Sequence, residues 1–375
     1  MDRIRNGAFG KKYSATKGAV VVTNVKTGEI LSMVSLPDYE PELLTNGIST
    51  QKWNEYEANQ SLFNIAIAGS SPPGSIFKMV TATAGLETGA ITTADEINDT
   101  GVYPRGHNPV CWIWTNQRRG HGYLNVSEAI QHSCNYFFYE VGYRVGILEI
   151  ERYARYYGLG ERTGIELPSE TSGTLAGETL YSTKGQTWYL GNTLSAAIGQ
   201  AENEFSPIQI SKYVSMLTNG GKNLDLSIVK TIINADGTEV AKEEIEKFSN
   251  EKLGLSGEKR EDLNINPENL NAILEGMRSV ANDTGGTAYS TFKNFGIEVG
   301  GKTGSAQAVG KTNAWFVGFA PYNDPEISIV VYVEDGGSGG YTAEVAKEII
   351  GEYFGMNSTE VKEDVTISTY EQTYM

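Results

Sequence analysis

The sequence predicts an α+β fold, with one antiparallel sheet of about five strands built from both chain ends, flanked by helices, and a mostly helical subdomain drawn from the middle. Three observations carry this. The chain opens with a β-branched run, Ala19 to Val25, a turn at Lys26-Thr27-Gly28 and a second run, Glu29 to Ser35, which together read as a hairpin. It closes with strand-like segments at Gly296 to Thr303, Ala314 to Ala320 and Ile327 to Glu334, with no helix between them. The helix starts and stops lie between these two groups, so an alternating βαβ plan is excluded.

In chain order, residues 1–17 lack apolar periodicity and read as a linker. Residues 18–355 read as one domain, and 356–375 as a polar, acidic tail expected to be mobile. Between 36 and 71 the sequence is mixed. Pro72-Pro73-Gly74 then ends whatever precedes it and starts a helix near Ser75, because proline is tolerated in a first helical turn. That helix is apolar on nearly every side through Leu86, the pattern of a buried helix. Asn98 to Tyr123 is loop-like, and Asn125 with Glu128 forms a capping box that opens a helix running into His132-Ser133-Cys134-Asn135. A second apolar stretch, Tyr136 to Val145, follows, and Glu149 to Tyr157 is closed by Gly158. Residues 159–195 read as an extended excursion rich in Gly, Ser and Thr. Ser206-Pro207 starts the next helix, ended by Gly220-Gly221, and residues 223–262 read as short strands with a turn at Asp236-Gly237. Asn266-Pro267 opens a helix to about Val280, and a last helix runs from about Thr342 to Phe354.

Composition narrows the function. A formal charge of −16 argues against nucleic acid or an anionic membrane surface as the main partner. No apolar run of 18 residues and no signal peptide are present, so the chain as given reads as soluble. Two cysteines, Cys111 and Cys134, are too few for a disulfide scaffold, and His107, His121 and His132 show no ligand spacing. The sequence reading therefore includes no metal and no cofactor.

The chemistry starts at Ser75 and Lys78. A serine and a lysine at i and i+3 share one helix face, within reach for the amine to take the hydroxyl proton. The pattern alone is weak: S-x-x-K begins at Ser14, Ser49, Ser75, Ser227, Ser249, Ser256 and Ser290. Only Ser75 has a helix start before it and a buried helix after it. Two motifs follow in order, Ser133-Cys134-Asn135 and Lys302-Thr303-Gly304. S-x-N occurs once, and the other K-T-G, at Lys26, is explained by the hairpin turn. Taken alone, Ser133 and Asn135 also fit a helix break and a helix cap, and Trp315 fits sheet core.

With these three motifs the chain resembles the penicillin-binding proteins and serine β-lactamases, over about Gly18 to Tyr353. Ile198-Gly199-Gln200, Ser206-Pro207-Ile208-Gln209 and Ala314 to Ala320 are similar to stretches of class B penicillin-binding proteins. The resemblance implies a D,D-transpeptidase that cross-links peptidoglycan. Ser75 would form the acyl-enzyme, with Lys78 as base, its pKa lowered by burial and by a second ammonium, Lys302. Ser133 would pass a proton to the leaving amine, and Asn135 would hold the substrate amide. Thr303, Gly304 and Ser305 would receive the terminal carboxylate of a D-Ala-D-Ala stem peptide or a β-lactam. The backbone N–H groups of Ser75 and Ser305 would hold the oxyanion. The family commonly has threonine where Ser305 stands. Peptidoglycan stem peptides, β-lactams as covalent inhibitors and cell-wall synthesis proteins are the partners implied. The resemblance also implies an anchor holding the full-length protein at the outer face of the cytoplasmic membrane.

Three rivals stand beside this reading. Gly296 to Thr303 matches G-x-x-x-x-G-K-[ST], but a phosphate-binding loop needs a helix straight after it, and here a strand is expected. A β-lactamase needs a carboxylate to activate water. Glu166, Glu170 and Glu178 fall in the right interval, but the E-x-x-L-N stretch of the class A enzymes is absent. A β-lactam sensor domain would go with membrane helices and a cytoplasmic partner.

Overall fold

The structure, a computed structural model, describes residues 1–8, 10–258, 260–308 and 310–356; the expected tail lies almost wholly outside the described residues. Among the described residues, seven strands form a five-stranded and a two-stranded sheet. The larger contains β1 (Gly18–Asn24), β2 (Ile30–Leu36), β5 (Gly300–Ala308), β6 (Lys311–Ala320) and β7 (Ile327–Val333), in the order β2-β1-β7-β6-β5. Every pairing is antiparallel, and β1 from one chain end lies against β7 from the other, Val21 opposite Val330. The α+β plan expected from the two ends is therefore the observed one. The two-stranded sheet, β3 (Ile97–Asp99) with β4 (Gly122–Leu124), is formed by the two ends of the interval Asn98 to Tyr123 read as loop, with Ile97 and Leu124 just outside it.

All of β7, and β6 from Asn313 onward, is buried, which requires cover on both faces of the sheet. The helix Pro207–Thr218 packs on β1 and β7, tied by hydroxyl pairs Thr23–Ser211 (2.7 Å) and Ser215–Ser328 (2.9 Å). The helices Pro267–Asn282 and Gly339–Tyr353 pack on β5 and β6 respectively. The helix Lys78–Glu87 is buried from Lys78 to Leu86 and contacts Asn135–Val145, Ile147–Tyr156 and Pro267–Asn282. It is the centre of the helical subdomain, as its all-round apolar sequence predicts.

Two intervals differ from expectation. Residues 159–195 are not only an excursion: they carry the helix Glu178–Thr183 and most of the helix Leu190–Ala197, whose Leu194, Ala196 and Ala197 are buried. Gly191, Asn192 and Thr193 are poor helix formers, so packing against Asn135–Val145 overrides local propensity. Among the described residues, 223–262 form no strand, only the isolated bridges Glu29–Ser227 and Ile233–Glu239, and instead hold the helix Lys242–Leu253. That helix buries no residue; Glu243 and Glu244 in its first turn, Lys252 in its last and a left-handed Gly254 cap stabilise it. At the start of the chain, Ile4 and Ala15 are buried with Val333, and Ser14 N–H donates to Asp335 at 2.9 Å.

Candidate active site

The loop before the nucleophile is held by its carbonyls and by Ser71. Trp315 Nε1 donates to the Pro72 carbonyl at 2.9 Å, and Asn313 Nδ2 to Ser71 Oγ at 2.7 Å. Trp315 is fully buried, so it is sheet core that also fixes this loop. Gly74–Phe77 then forms a 3₁₀ turn leading into the α-helix at Lys78. In a 3₁₀ turn residues i and i+3 eclipse, so Ser75 and Lys78 stack on one side, a tighter arrangement than a plain α-helix start. A Cβ on Gly74 would lie 3.3 Å from Ala306 Cα and from the Ser305 carbonyl oxygen. One on Gly304 would lie 2.9 Å from the Pro73 carbonyl oxygen. The two missing side chains let the serine turn press onto strand β5, one of the two outer strands of the sheet.

Lys78 is fully buried, and its Nζ donates to the Ser133 carbonyl (2.7 Å), Ser133 Oγ (3.2 Å) and Asn135 Oδ1 (2.7 Å). Those three acceptors use all three donors of an ammonium. Burial still pushes the amine down to about 8, leaving a useful neutral fraction near neutral pH. Ser133 is in a left-handed conformation, φ +53°, uncommon for a non-glycine residue. Its carbonyl also accepts from Trp112 Nε1 at 3.1 Å. The capping box at Asn125 and Glu128 forms as expected, and the helix Asn135–Val145 is capped by the Cys134 thiol, which accepts from Phe137 N–H at 3.4 Å. Asn135, released from capping, is left to face Lys78.

Lys302, on β5, is also fully buried, and its Nζ donates to the Thr303 carbonyl at 3.0 Å. Burial, and then the Lys78 charge, push it well below the ordinary lysine range. The electrostatic push therefore falls on Lys302 from Lys78, whereas Lys78 itself is lowered by burial. Thr303 Oγ1 lies 2.6 Å from Thr287 Oγ1, and the exposed Ser305 accepts from Gly339 N–H at 3.2 Å through its hydroxyl. Lys302, Thr303, Gly304 and Ser305 are thus consecutive on one strand, opposite Val317, Phe316, Trp315 and Ala314. No helix follows them, and β6 begins at Lys311, so the phosphate-loop context is missing.

Spacing along the chain offers no ligand pattern, yet the fold gathers Asp99, Cys111, His121 and Cys134 behind the Ser133 loop, with ligand atoms all within 4.8 Å of one another. His121 Nδ1 lies 2.6 Å from Asp99 Oδ2, and the two sulfurs are 3.9 Å apart. Burial opposes ionisation of Asp99, but hydrogen bonds led by that of His121 hold it at about 2. His121 Nε2 is buried without a hydrogen-bond partner among the described residues. Two thiols, an imidazole and a carboxylate are donors suited to a tetrahedral divalent ion of the zinc type. Asp99, Cys111, His121, Trp112 and Thr287 were not singled out as site residues from the sequence, because they are brought in from outside the three motifs with no local pattern to mark them, and Cys134 stood there only as the middle residue of Ser133-Cys134-Asn135.

A profile of the family described as penicillin binding protein transpeptidase domain matches residues 18–351. The peptidoglycan D,D-transpeptidase MrdA of Escherichia coli K12 is 30% identical over 369 residues, covering 93% of this chain and 56% of that protein. The protein of the same name from Acinetobacter baumannii is 30% identical over 359 residues, covering 90% and 51%. The chain thus spans about half the length of these relatives. Among solved structures, Pseudomonas aeruginosa PBP2 in complex with WCK 5153 superposes with a TM-score of 0.78 at 29% identity, covering 94% of this chain and 76% of that one. Helicobacter pylori PBP2 in complex with MreC gives 0.77 at 26% identity, covering 92% and 61%.

Proposed function

Because the chain belongs to the penicillin-binding protein transpeptidase family, we propose that it is the catalytic domain of a peptidoglycan D,D-transpeptidase acylated at Ser75. The observation that carries this reading is the buried Lys78 amine, one turn from Ser75 and bound to both Ser133 and Asn135. In its neutral form Lys78 takes the Ser75 proton as the hydroxyl attacks the penultimate D-alanine carbonyl. The backbone N–H groups of Ser75 and Ser305 receive the developing oxyanion, donors of a kind worth about 2.7–4 kcal/mol each. Ser133 Oγ, bonded to Lys78, relays the proton to the departing D-alanine amine. Asn135 holds the substrate amide. Lys302, Thr303, Gly304 and Ser305 receive the terminal carboxylate, and the outer edge of β5 offers backbone groups to an extended peptide.

An acceptor amine from a second stem peptide then attacks the acyl-enzyme, with Lys78 again as base. β-Lactams, which present a carboxylate beside a reactive carbonyl, acylate the same serine. A hydrolase would need a carboxylate free to activate water. Glu170 instead accepts from Thr163 and Gly164, and Glu166 from Ser227 and Ile228. Among the described residues no helix is long and apolar enough to cross a membrane. We place the full-length protein at the outer face of the cytoplasmic membrane, with cell-wall synthesis proteins as partners and a role in cell shape. Incubation with a stem-peptide mimic ending in D-Ala-D-Ala and a D-amino acid acceptor tests this. The expected result is D-alanine release with a matching transfer product that Ser75→Ala does not form; hydrolysis alone, or unchanged transfer by Ser75→Ala, would contradict it.

A further inference from the structure

Thr303 and Ser305 stand two apart on β5, so their hydroxyls share one face of the strand, the face given above to the substrate carboxylate. A carboxylate only accepts hydrogen bonds, and each hydroxyl owns a single proton. Recognition therefore depends on where each hydroxyl points that proton. For Ser305 the surroundings decide it. Gly339 N–H can only donate, so the 3.2 Å bond makes Ser305 Oγ the acceptor and leaves its proton for the ligand. The Thr303 hydroxyl has one hydrogen-bond partner among the described residues, Thr287 Oγ1 at 2.6 Å, and either oxygen can be the donor.

The place of Thr287 is fixed from two sides. Its loop leaves the helix Pro267–Asn282 and turns back onto it: a Cβ on Gly286 would lie 2.3 Å from the Ser279 carbonyl oxygen, and Ala288 N–H donates to the Val280 carbonyl at 3.0 Å. The two residues before Ser133 hold the loop from the other side. Gln131 Nε2 donates to the Thr284 carbonyl at 3.2 Å, and His132 Nδ1 lies 3.2 Å from the Gly285 carbonyl oxygen. One loop is thus pinned to the Ser133 segment and meets the Thr303 hydroxyl with a hydroxyl of its own.

We propose that Thr287 is a positioning residue for carboxylate recognition: with substrate bound it donates its proton to Thr303 Oγ1, which directs the Thr303 proton to the carboxylate beside that of Ser305. Without a ligand, Thr303 can give its proton to Thr287 instead, so the pair reverses on binding. Each bond in such a chain polarises the next. Thr287 touches no reacting atom and acts through Thr303. The proposal rests on the Ser75 reading and deepens it at the carboxylate end of the substrate.

The test is a double-mutant cycle on the full chain, read as the second-order rate constant of acylation by benzylpenicillin and by its methyl ester, which lacks the charge. Thr287→Val keeps the shape and removes the proton. It should slow acylation by the free acid about 2–10-fold, the range for one neutral hydrogen bond, and shrink the preference for the acid over the ester. Thr287→Ser should restore both. In the Thr303→Val background, Thr287→Val should cost nothing further, because its route to the ligand is already gone. Equal slowing of acid and ester, additive losses in the double variant, or failure of Thr287→Ser to restore the rate would overturn the proposal while leaving acylation at Ser75 in place. Wild-type protein that benzylpenicillin does not acylate would remove the Ser75 reading and the proposal with it. Should Thr287→Val fail to fold, Thr287→Ala takes its place in the cycle.

Discussion

Lys26-Thr27-Gly28 and Lys302-Thr303-Gly304 are the same tripeptide in two settings. The first is the turn after β1, where Lys26 reaches Asp324 at 2.9 Å across open surface. The second lies within β5, where Lys302 is fully buried, Gly304 admits the Pro73 carbonyl and Thr303 meets Thr287. The Ser-x-x-Lys pattern divides the same way: Ser49 merely caps the helix Thr50–Asn59 through Lys52 N–H, whereas Lys78 is buried among three acceptors. The lesson is that three letters carry no chemistry; burial and the neighbours supply it, by lowering an amine that would otherwise stay protonated.

Replacing the buried base sharpens this contrast most. Lys78→Met should slow benzylpenicillin acylation by about 10²–10⁴-fold, the range for a general base, while circular dichroism stays native-like; acylation within a few-fold of wild type would remove Lys78 from its role. The paired test is next: Lys302→Ala should cost about 10²-fold in acylation, as for loss of an electrostatic contact in a closed site. Lys26→Ala, on a surface pair, should stay within about twofold. Equal losses would erase the distinction between the two settings.

The acylation rate should also follow the Lys78 amine. The neutral form is the active one, so the rate climbs as the pH rises toward about 8, then levels off above it as deprotonation completes. A flat profile from pH 6 to 9 would mean that Lys78 does not set the rate. Thr303→Val should have a smaller effect, about tenfold in acylation, with thermal stability lowered by about 1 kcal/mol for the lost Thr287 contact; a melting shift without a kinetic one would assign Thr303 to packing alone.

Much of this was legible in the sequence because local signals and tertiary demands agree. Alternation and β-branched runs at both ends announce strands, and the Pro72-Pro73-Gly74 stop followed by an all-apolar helix announces a buried Ser75 turn. The helix Leu190–Ala197 was not legible, because Gly191, Asn192 and Thr193 hide it and only packing reveals it. The helix Lys242–Leu253 was missed for another reason, since it buries nothing and so has no apolar stripe to read. The site residues brought in one by one were invisible on the same grounds. Trp112 reaches the Ser133 carbonyl from 21 positions away, and Asp99, Cys111 and His121 come from the small sheet and the segment between its strands to meet Cys134 of the Ser133 loop.

The most direct test of the account is intact-protein mass spectrometry after incubation with benzylpenicillin, followed over hours with peptide mapping. The account predicts one benzylpenicilloyl adduct, on Ser75, that persists for hours and is missing in Ser75→Ala. Rapid turnover of the drug without a lasting adduct, or an adduct on another residue, would contradict it.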